Sequence, residues 1–253
     1  MTTLLQDLRL ALRLFRRQPG FALVAVLVLG LGIGANATIF SLVNALVLKP
    51  RLGAGEQLVS VYSKNRAEPD TFRAFSYDNF SDLRSRTKIF ASLTAHNPAM
   101  VGISEGDATR RSFIDITTGD LFETFKAPLR MGRSFTRAEE RPGADIPVTI
   151  LSHVAWTHMG APADVVGRTI KINQRDFTII GVAPAGFGGT MSMVTPELWV
   201  PTGVYGSVVN DFDSETRTGT LADRRHHSLM PFGRLREGVT MESAAPLLAA
   251  AGA

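Results

Sequence analysis

Residues 21–48 read FALVAVLVLGLGIGANATIFSLVNALVL, 28 positions without one Asp, Glu, Lys, Arg or His. As a helix this run rises about 42 Å at roughly 1.5 Å per residue, more than the ~30 Å hydrocarbon core of a bilayer. A single transmembrane helix with some tilt or overhang is the direct expectation. It decides the architecture, because whatever precedes the run then lies on one side of a membrane and whatever follows lies on the other.

Within the run, Gly30, Gly32 and Gly34 occupy alternate positions, where glycine weakens a helix or a strand. Projected at about 100° per residue, Gly30, Gly34, Ala37, Ser41 and Ala45 share one narrow stripe, and Leu27, Leu29, Leu31, Ile33, Phe40 and Leu42 lie mostly off it. Small residues at G-x-x-x-G spacing let a second helix approach closely, which is how helices associate where lipid supplies no hydrophobic drive between them. The stripe therefore predicts helix-helix packing, and the rest of the run predicts contact with membrane lipid. A dinucleotide loop fits poorly, since G-x-G-x-G is not G-x-G-x-x-G and no βαβ unit surrounds it. Ala35-Asn36-Ala37 matches a signal-peptide cleavage site, but eleven more residues of the apolar run, 38–48, follow it.

Upstream, LLQDLRLALRLFRR is amphipathic: Arg9, Arg13, Arg16, Arg17 and Gln6 share one face, and Leu4, Leu5, Leu8, Leu12 and Phe15 the other. Such a helix lies along a membrane surface with its arginines toward anionic head groups. Gln18-Pro19-Gly20 then reads as the turn into the bilayer. Those four arginines, against Lys49 and Arg51 after the run, favour a cytoplasmic N-terminus and place residues beyond about 49 in the periplasm or outside.

Residues 52–253 contain no second run of 18 apolar residues and read as one domain of mixed strand and helix, an α+β fold. Strands are expected at 57–63, 110–117, 147–151 and 197–201. Residues 77–86, continuing through Ile89, Phe90 and Leu93, have helical spacing behind Ser76, and a second helix is expected over 153–159. RTIKINQRDFTIIGV, at 168–182, gives two alternating runs around Asn173-Gln174, a β-hairpin. Residues 186–189 read as a glycine loop and 207–226 as an exposed polar segment.

A formal charge of +4 and a pI near 9.8 raise nucleic acid as a partner, but the arginines of the outer domain are scattered singly, without a basic stripe among aromatics, so none is expected. The absence of cysteine removes disulfides and thiolate metal sites. Ser152, His153, His158 and Asp145 offer hydrolase parts without a G-x-S-x-G elbow, so Ser152 is expected to cap a helix. Thr136 and Glu139 have capping-box spacing, which accounts for Glu139-Glu140 without acid-base chemistry. His226-His227 adjoin Arg224 and Arg225, whose charge opposes a cation. No enzyme activity, cofactor or metal is expected.

The order of elements resembles the MacB-like, FtsX-superfamily permeases of ABC transporters, especially the duplicated ADOP-type subgroup. The resemblance is carried by DLRLALRLFRRQPGFALVAVLVLGLGIGANATIFSLVNALVL, SYDNFSDLRSRTKIFASLTA, the stretch TTGDLFETFKAPLRMGRSF through LSHVAW to GVAPAGF, and ELWVP, most of residues 7–203. It implies an inner-membrane subunit with a cytoplasmic interfacial helix at 1–20, a transmembrane helix at 21–48 and a MacB-like periplasmic core domain at 49–253. It also implies a separate cytoplasmic ATPase, a homodimer or duplicated half, a periplasmic adaptor, and periplasmic motion by mechanical transmission. Three further helices follow the periplasmic domain in such permeases, and LREGVTMESAAPLLAAAGA resembles the start of their last periplasmic helix. A fragment, a truncated product or a split half is therefore expected. A single-span anchored binding or scaffold protein is the alternative.

Overall fold

The computed structural model describes residues 19–43, 57–65, 68–86, 88–105, 108–190, 194–209 and 220–251. The chain divides into two compact units, Met1–Lys49 and Pro50–Ala253. In the first, one helix, α1 (Pro19–Val43), runs for 25 residues. Pro19 and Gly20 belong to its first turn, which corrects the expected Gln18-Pro19-Gly20 bend: proline's fixed φ and missing N–H suit the start of a helix, where that donor has no partner. The side chains at 21, 22, 25, 39, 42 and 43 lie outside the described residues, and over those that remain no helix is long and apolar enough to cross a membrane. The amphipathic segment with Arg9, Arg13, Arg16 and Arg17, and the end of the apolar run with Ala45, also lie outside them.

The second unit is α+β. Its elements are β1 (Leu58–Ser60), β2 (Ser63–Asn65), β3 (Glu68–Arg73), α2 (Tyr77–Arg86), β4 (Phe90–Glu105), β5 (Ala108–Thr117), α3 (Leu121–Thr124) and β6 (Met131–Gly132). They continue with α4 (Arg137–Glu140), β7 (Val148–Leu151), α5 (His153–His158), β8 (Thr169–Ile172), β9 (Arg175–Val182), β10 (Leu198–Pro201), a 3-10 turn (Thr202–Val204), α6 (Tyr205–Val208), β11 (Met230–Leu235) and α7 (Met241–Ala251). A nine-stranded sheet runs β1-β11-β4-β5-β10-β7-β9-β6, and β8 joins it by pairing with both β9 and β4. That double pairing closes β4, β5, β10, β7, β9 and β8 into a ring. Two contacts in the ring are parallel, β5 with β10 and β7 with β9.

The long strand β4 makes the ring possible by serving different partners along its length. Its first part pairs with β11, its second with β5, and Ile103 and Ser104 also pair with β8. Pro98 falls between the β11 and β8 pairings, a place where a strand can lack an N–H donor. Here the expected continuation of α2 through Phe90 and Leu93 is corrected. The helix stops at Arg86, and both residues are buried on β4, where pairing with β11 decides over helical spacing.

The central strands are covered on both sides. Leu198 and Val200 of β10 enter one apolar cluster with Ile103, Ile114, Phe177 and Ile179, while Trp199 between them enters another with Phe122, Phe125, Ile150 and Phe187. Every residue of β7 and β10 is buried, which explains why VTIL and LWVP read as short unbroken apolar runs. At the hairpin, Asn173 and Gln174 take φ of +48° and +65°, the paired left-handed geometry of a tight two-residue turn. Asn173 also donates its N–H to the Gly102 carbonyl and accepts from Gly102 N through Oδ1, tying the turn to β4.

Candidate functional site

Three features of the described residues could carry function: the surface of α1, a charged knot between α2, α3 and α4, and a buried polar trio that includes two residues of the sheet. On α1, Gly30, Gly34, Ala37 and Ser41 are all exposed, and a Cβ added at Gly30, Gly32 or Gly34 meets nothing within 4 Å. Val26, Leu27, Leu31 and Ala35 form with Gly30 and Gly34 a shallow apolar groove. The Thr38 hydroxyl donates to the Gly34 carbonyl at 2.8 Å, which keeps that polar group inside the helix's own bonding. Large residues stand out on every side, Leu31 at 75%, Ile33 at 69% and Phe40 at 65% exposed. Among the described residues, so many exposed large apolar side chains call for lipid or protein around them.

The knot is built by Thr118-Gly119-Asp120 before α3 and by the capping box of α4. Thr136 accepts from the N–H of Glu139, and Glu139 Oε2 accepts from the N–H of Thr136 at 2.7 Å, as the T-x-x-E spacing predicts. Glu140 then points inward, its side chain 1% exposed, and accepts from Arg84 Nη1 at 2.8 Å, Arg137 Nη1 at 2.9 Å and the Gly119 N–H at 2.7 Å. Asp120 accepts from Arg137 at 2.7 Å. Glycine is required at both backbone crossings here: a Cβ at Gly119 would lie 2.6 Å from the Phe135 carbonyl oxygen, and one at Gly203 2.2 Å from that of Glu139.

Each charge in the knot faces an opposite one, so the cluster neutralises itself. Burial pushes the Asp120 carboxyl up, against the pull of Arg137. Burial also acts to raise Glu139, but the Arg133 guanidinium and the Thr136 N–H outweigh it and hold that carboxyl below its ordinary range. Beside the knot, Arg84, Asp120, Glu123, Arg137 and Arg236 line a polar cleft of about 240 Å³. Three arginines and two carboxylates share its wall with Phe90, Ser92 and Leu93.

The trio joins β4, β5 and the loop before β10. His96 Nδ1 lies 2.8 Å from Asp115 Oδ1 and 2.9 Å from Thr190 Oγ1, and the Thr190 hydroxyl donates to Asp115 Oδ2 at 3.2 Å. All three side chains are buried. Their bonds tie β4, β5 and the loop before β10 together.

Against this geometry the family can be stated. The MacB-like periplasmic core domain family matches residues 22–251. The chain belongs to that family. Among curated proteins, it is 30% identical over 126 residues to a macrolide export ATP-binding/permease protein MacB of Chlorobium phaeobacteroides, covering 46% of this chain and 17% of that one. The chain thus spans about a sixth of that relative. Among solved structures, the periplasmic region of MacB from Actinobacillus actinomycetemcomitans aligns with a TM-score of 0.57 at 16% identity, over 78% of this chain and 82% of that one. A domain of a putative permease from Porphyromonas gingivalis aligns with a TM-score of 0.51 at 15% identity, over 78% and 80%. These two likenesses concern the fold.

In this MacB-like domain, Ser152 and His226, both singled out from the sequence, have hydrogen-bond partners within the outer unit. Ser152 accepts from the Ala155 N–H at 3.0 Å and is the cap of α5. Nε2 of His226 lies 3.1 Å from the Tyr205 hydroxyl, while burial and nearby Arg73 lower the pKa of His227. Sequence reasoning missed the Arg84–Glu140 pair and the His96–Asp115–Thr190 trio. For the trio one signal was available: Asp115 is the one charged residue of SFIDIT, set between Ile114 and Ile116.

Proposed function

We propose that this chain acts as a permease component of a MacB-type ABC transporter. In this reading α1 is embedded in the inner membrane with the N-terminus in the cytoplasm, and residues after about 49 form the periplasmic domain. A separate cytoplasmic ATPase drives the assembled permease, and the periplasmic domain passes on the resulting movement to export or extract a substrate. The chain itself carries out no catalysis. The observation that carries the reading is the extent of the family match, which begins within α1 and runs through the whole outer unit to α7.

Supporting it, α1 offers lipid an apolar surface and offers a neighbouring helix the flank of Gly30, Gly34, Ala37 and Ser41. Ala45 continues that flank in the sequence. The basic face of Arg9, Arg13, Arg16 and Arg17 suits the cytoplasmic head-group layer. The proposed partners are therefore lipid, other permease helices in a homodimer or duplicated half, the ATPase, and a periplasmic adaptor on the outer unit. The test is affinity purification of the tagged chain from native membranes. Recovery of a nucleotide-binding subunit whose ATPase activity depends on the chain is the expected result. Repeated recovery of the chain alone would favour an anchored scaffold.

A further inference from the structure

Strand β4 carries a bulge at Ala91. Arg234 pairs with Ser92 and Leu235 with Phe90, which leaves Ala91 without a register partner on β11. Such a bulge re-aims the groups beside it. The Phe90 carbonyl here accepts from Arg236 Nε at 3.1 Å, and the Ile89 carbonyl accepts from the Arg236 backbone N–H at 2.9 Å. The guanidinium is thus fixed along its Nε edge. Among the described residues no hydrogen bond or ion pair occupies its two terminal nitrogens.

Arg236, Phe90, Ala91 and Ser92 belong to the wall of the polar cleft beside the knot, and so does Glu123. Four charges in and behind that wall cancel, since Arg84 and Arg137 share Glu140 and Asp120. One of each sign is left. Arg236 and Glu123 are both exposed, and among the described residues neither side chain forms an ion pair.

Two observations select what the cleft takes. The first is charge: a lone anion would have to face Glu123 and a lone cation Arg236, whereas a molecule with one carboxylate and one ammonium satisfies both. The free fork of a guanidinium also matches a carboxylate in two parallel bonds. The second is size. A cleft of about 240 Å³ falls below the roughly 300–1,000 Å³ of pockets that hold drug-sized ligands, and suits a molecule of a few carbons.

We propose that this cleft binds a small zwitterionic amino acid, its carboxylate on the terminal nitrogens of Arg236 and its ammonium on the carboxylate of Glu123. The Ser92 hydroxyl, half-buried in the same wall, supplies a further polar contact. Every residue named belongs to the outer unit, so the inference does not depend on the membrane reading of α1.

The test is calorimetric titration of the full chain in detergent at neutral pH and low salt with glycine, β-alanine and γ-aminobutyrate. Butyrate and propylamine, which are γ-aminobutyrate without one charge or the other, serve as controls. The best of the three amino acids should bind about tenfold or more tighter than either control, the gain of one charge-assisted contact. Glu123→Gln, which changes an exposed side chain, should bring that ligand down to the level of butyrate. Arg236→Met should bring it down to the level of propylamine. Amino acids that bind no better than the controls, or a preference that survives in either variant, would overturn the proposal. Melting curves accompany both variants, and Glu123→Gln decides alone if Arg236→Met fails to fold.

Discussion

Glu140 Oε1 lies 2.8 Å from Nη1 of Arg84, although 56 residues separate the two in sequence. The bond pins α2 to the end of α4, and the carboxylate is buried while its other partners come from Arg137 and the Gly119 backbone. Replacing Arg84 by Met removes one charged donor from a buried acceptor and should destabilise the outer unit by about 1–3 kcal/mol. Glu140→Ala, which also frees Gly119, should cost at least as much. Urea unfolding of both variants checks this, and unchanged midpoints would refute it.

Two carboxylates, one in this knot and one beside β10, set an acid limit. Glu139 and Glu197 have carboxyls held below their ordinary range, the first by Arg133 and Thr136, the second by Arg110 and Ser112 after burial is outweighed. A depressed folded pKa means the unfolded chain binds more protons, so stability is fully present above the unfolded value near 4.3 and is lost as pH falls through the folded one. We expect the melting temperature to drop more steeply below about pH 4 in the native chain than in Glu139→Gln. Parallel curves for the two would remove the assignment.

Gln174 holds φ of +65° in the β8–β9 turn. Glycine there takes the same conformation without a Cβ penalty, so Gln174→Gly should stabilise by about 0.5–1 kcal/mol. Thermal melts should move upward by a few degrees. A downward shift would mean that the Gln174 contacts to Ser104 and Thr109, at 3.4 and 3.5 Å, outweigh the backbone term.

Ser152→Ala should cost about 1 kcal/mol through loss of the α5 cap. It should leave any ATPase stimulation in the reconstituted assembly unchanged, since the hydroxyl is buried in a bond to Ala155. Loss of activity in a variant that still melts near the native temperature would point to a chemical role.

On α1, Gly34→Leu should weaken helix association while leaving membrane insertion intact, because it fills the approach on the small flank and adds apolar area. Ile33→Leu, off that flank, is the control. Cross-linking yield in membranes distinguishes them, and equal yields would show that the neighbour packs elsewhere.

What the sequence disclosed follows from where the decisive contacts lie. The β8–β9 hairpin, the Ser152 cap and the Thr136–Glu139 capping box are local, fixed by residues a few positions apart, and each is present in the structure. β4 and β11 were not legible. FASLTAHNPAMVGISE and MPFGRL mix Pro, Gly, His and Arg, and they become strands because they pair with each other across more than 130 residues, as Met230 does with His96. The Arg84–Glu140 bond and the His96–Asp115–Thr190 trio are equally non-local, and no spacing rule announces them. The small flank of α1 was visible as a period, and Gly30, Gly34, Ala37 and Ser41 are exposed along it.

The closure of six strands through β8 has a mechanical corollary. An open sheet yields by fanning at its edges; a hoop has none to fan, so a push delivered at one strand is shared around the circumference and the body turns as a piece. For a domain proposed to relay work done at a distant ATPase, the β8 pairings couple both ends of this hoop, so a push on one of its strands is carried by two routes and not one.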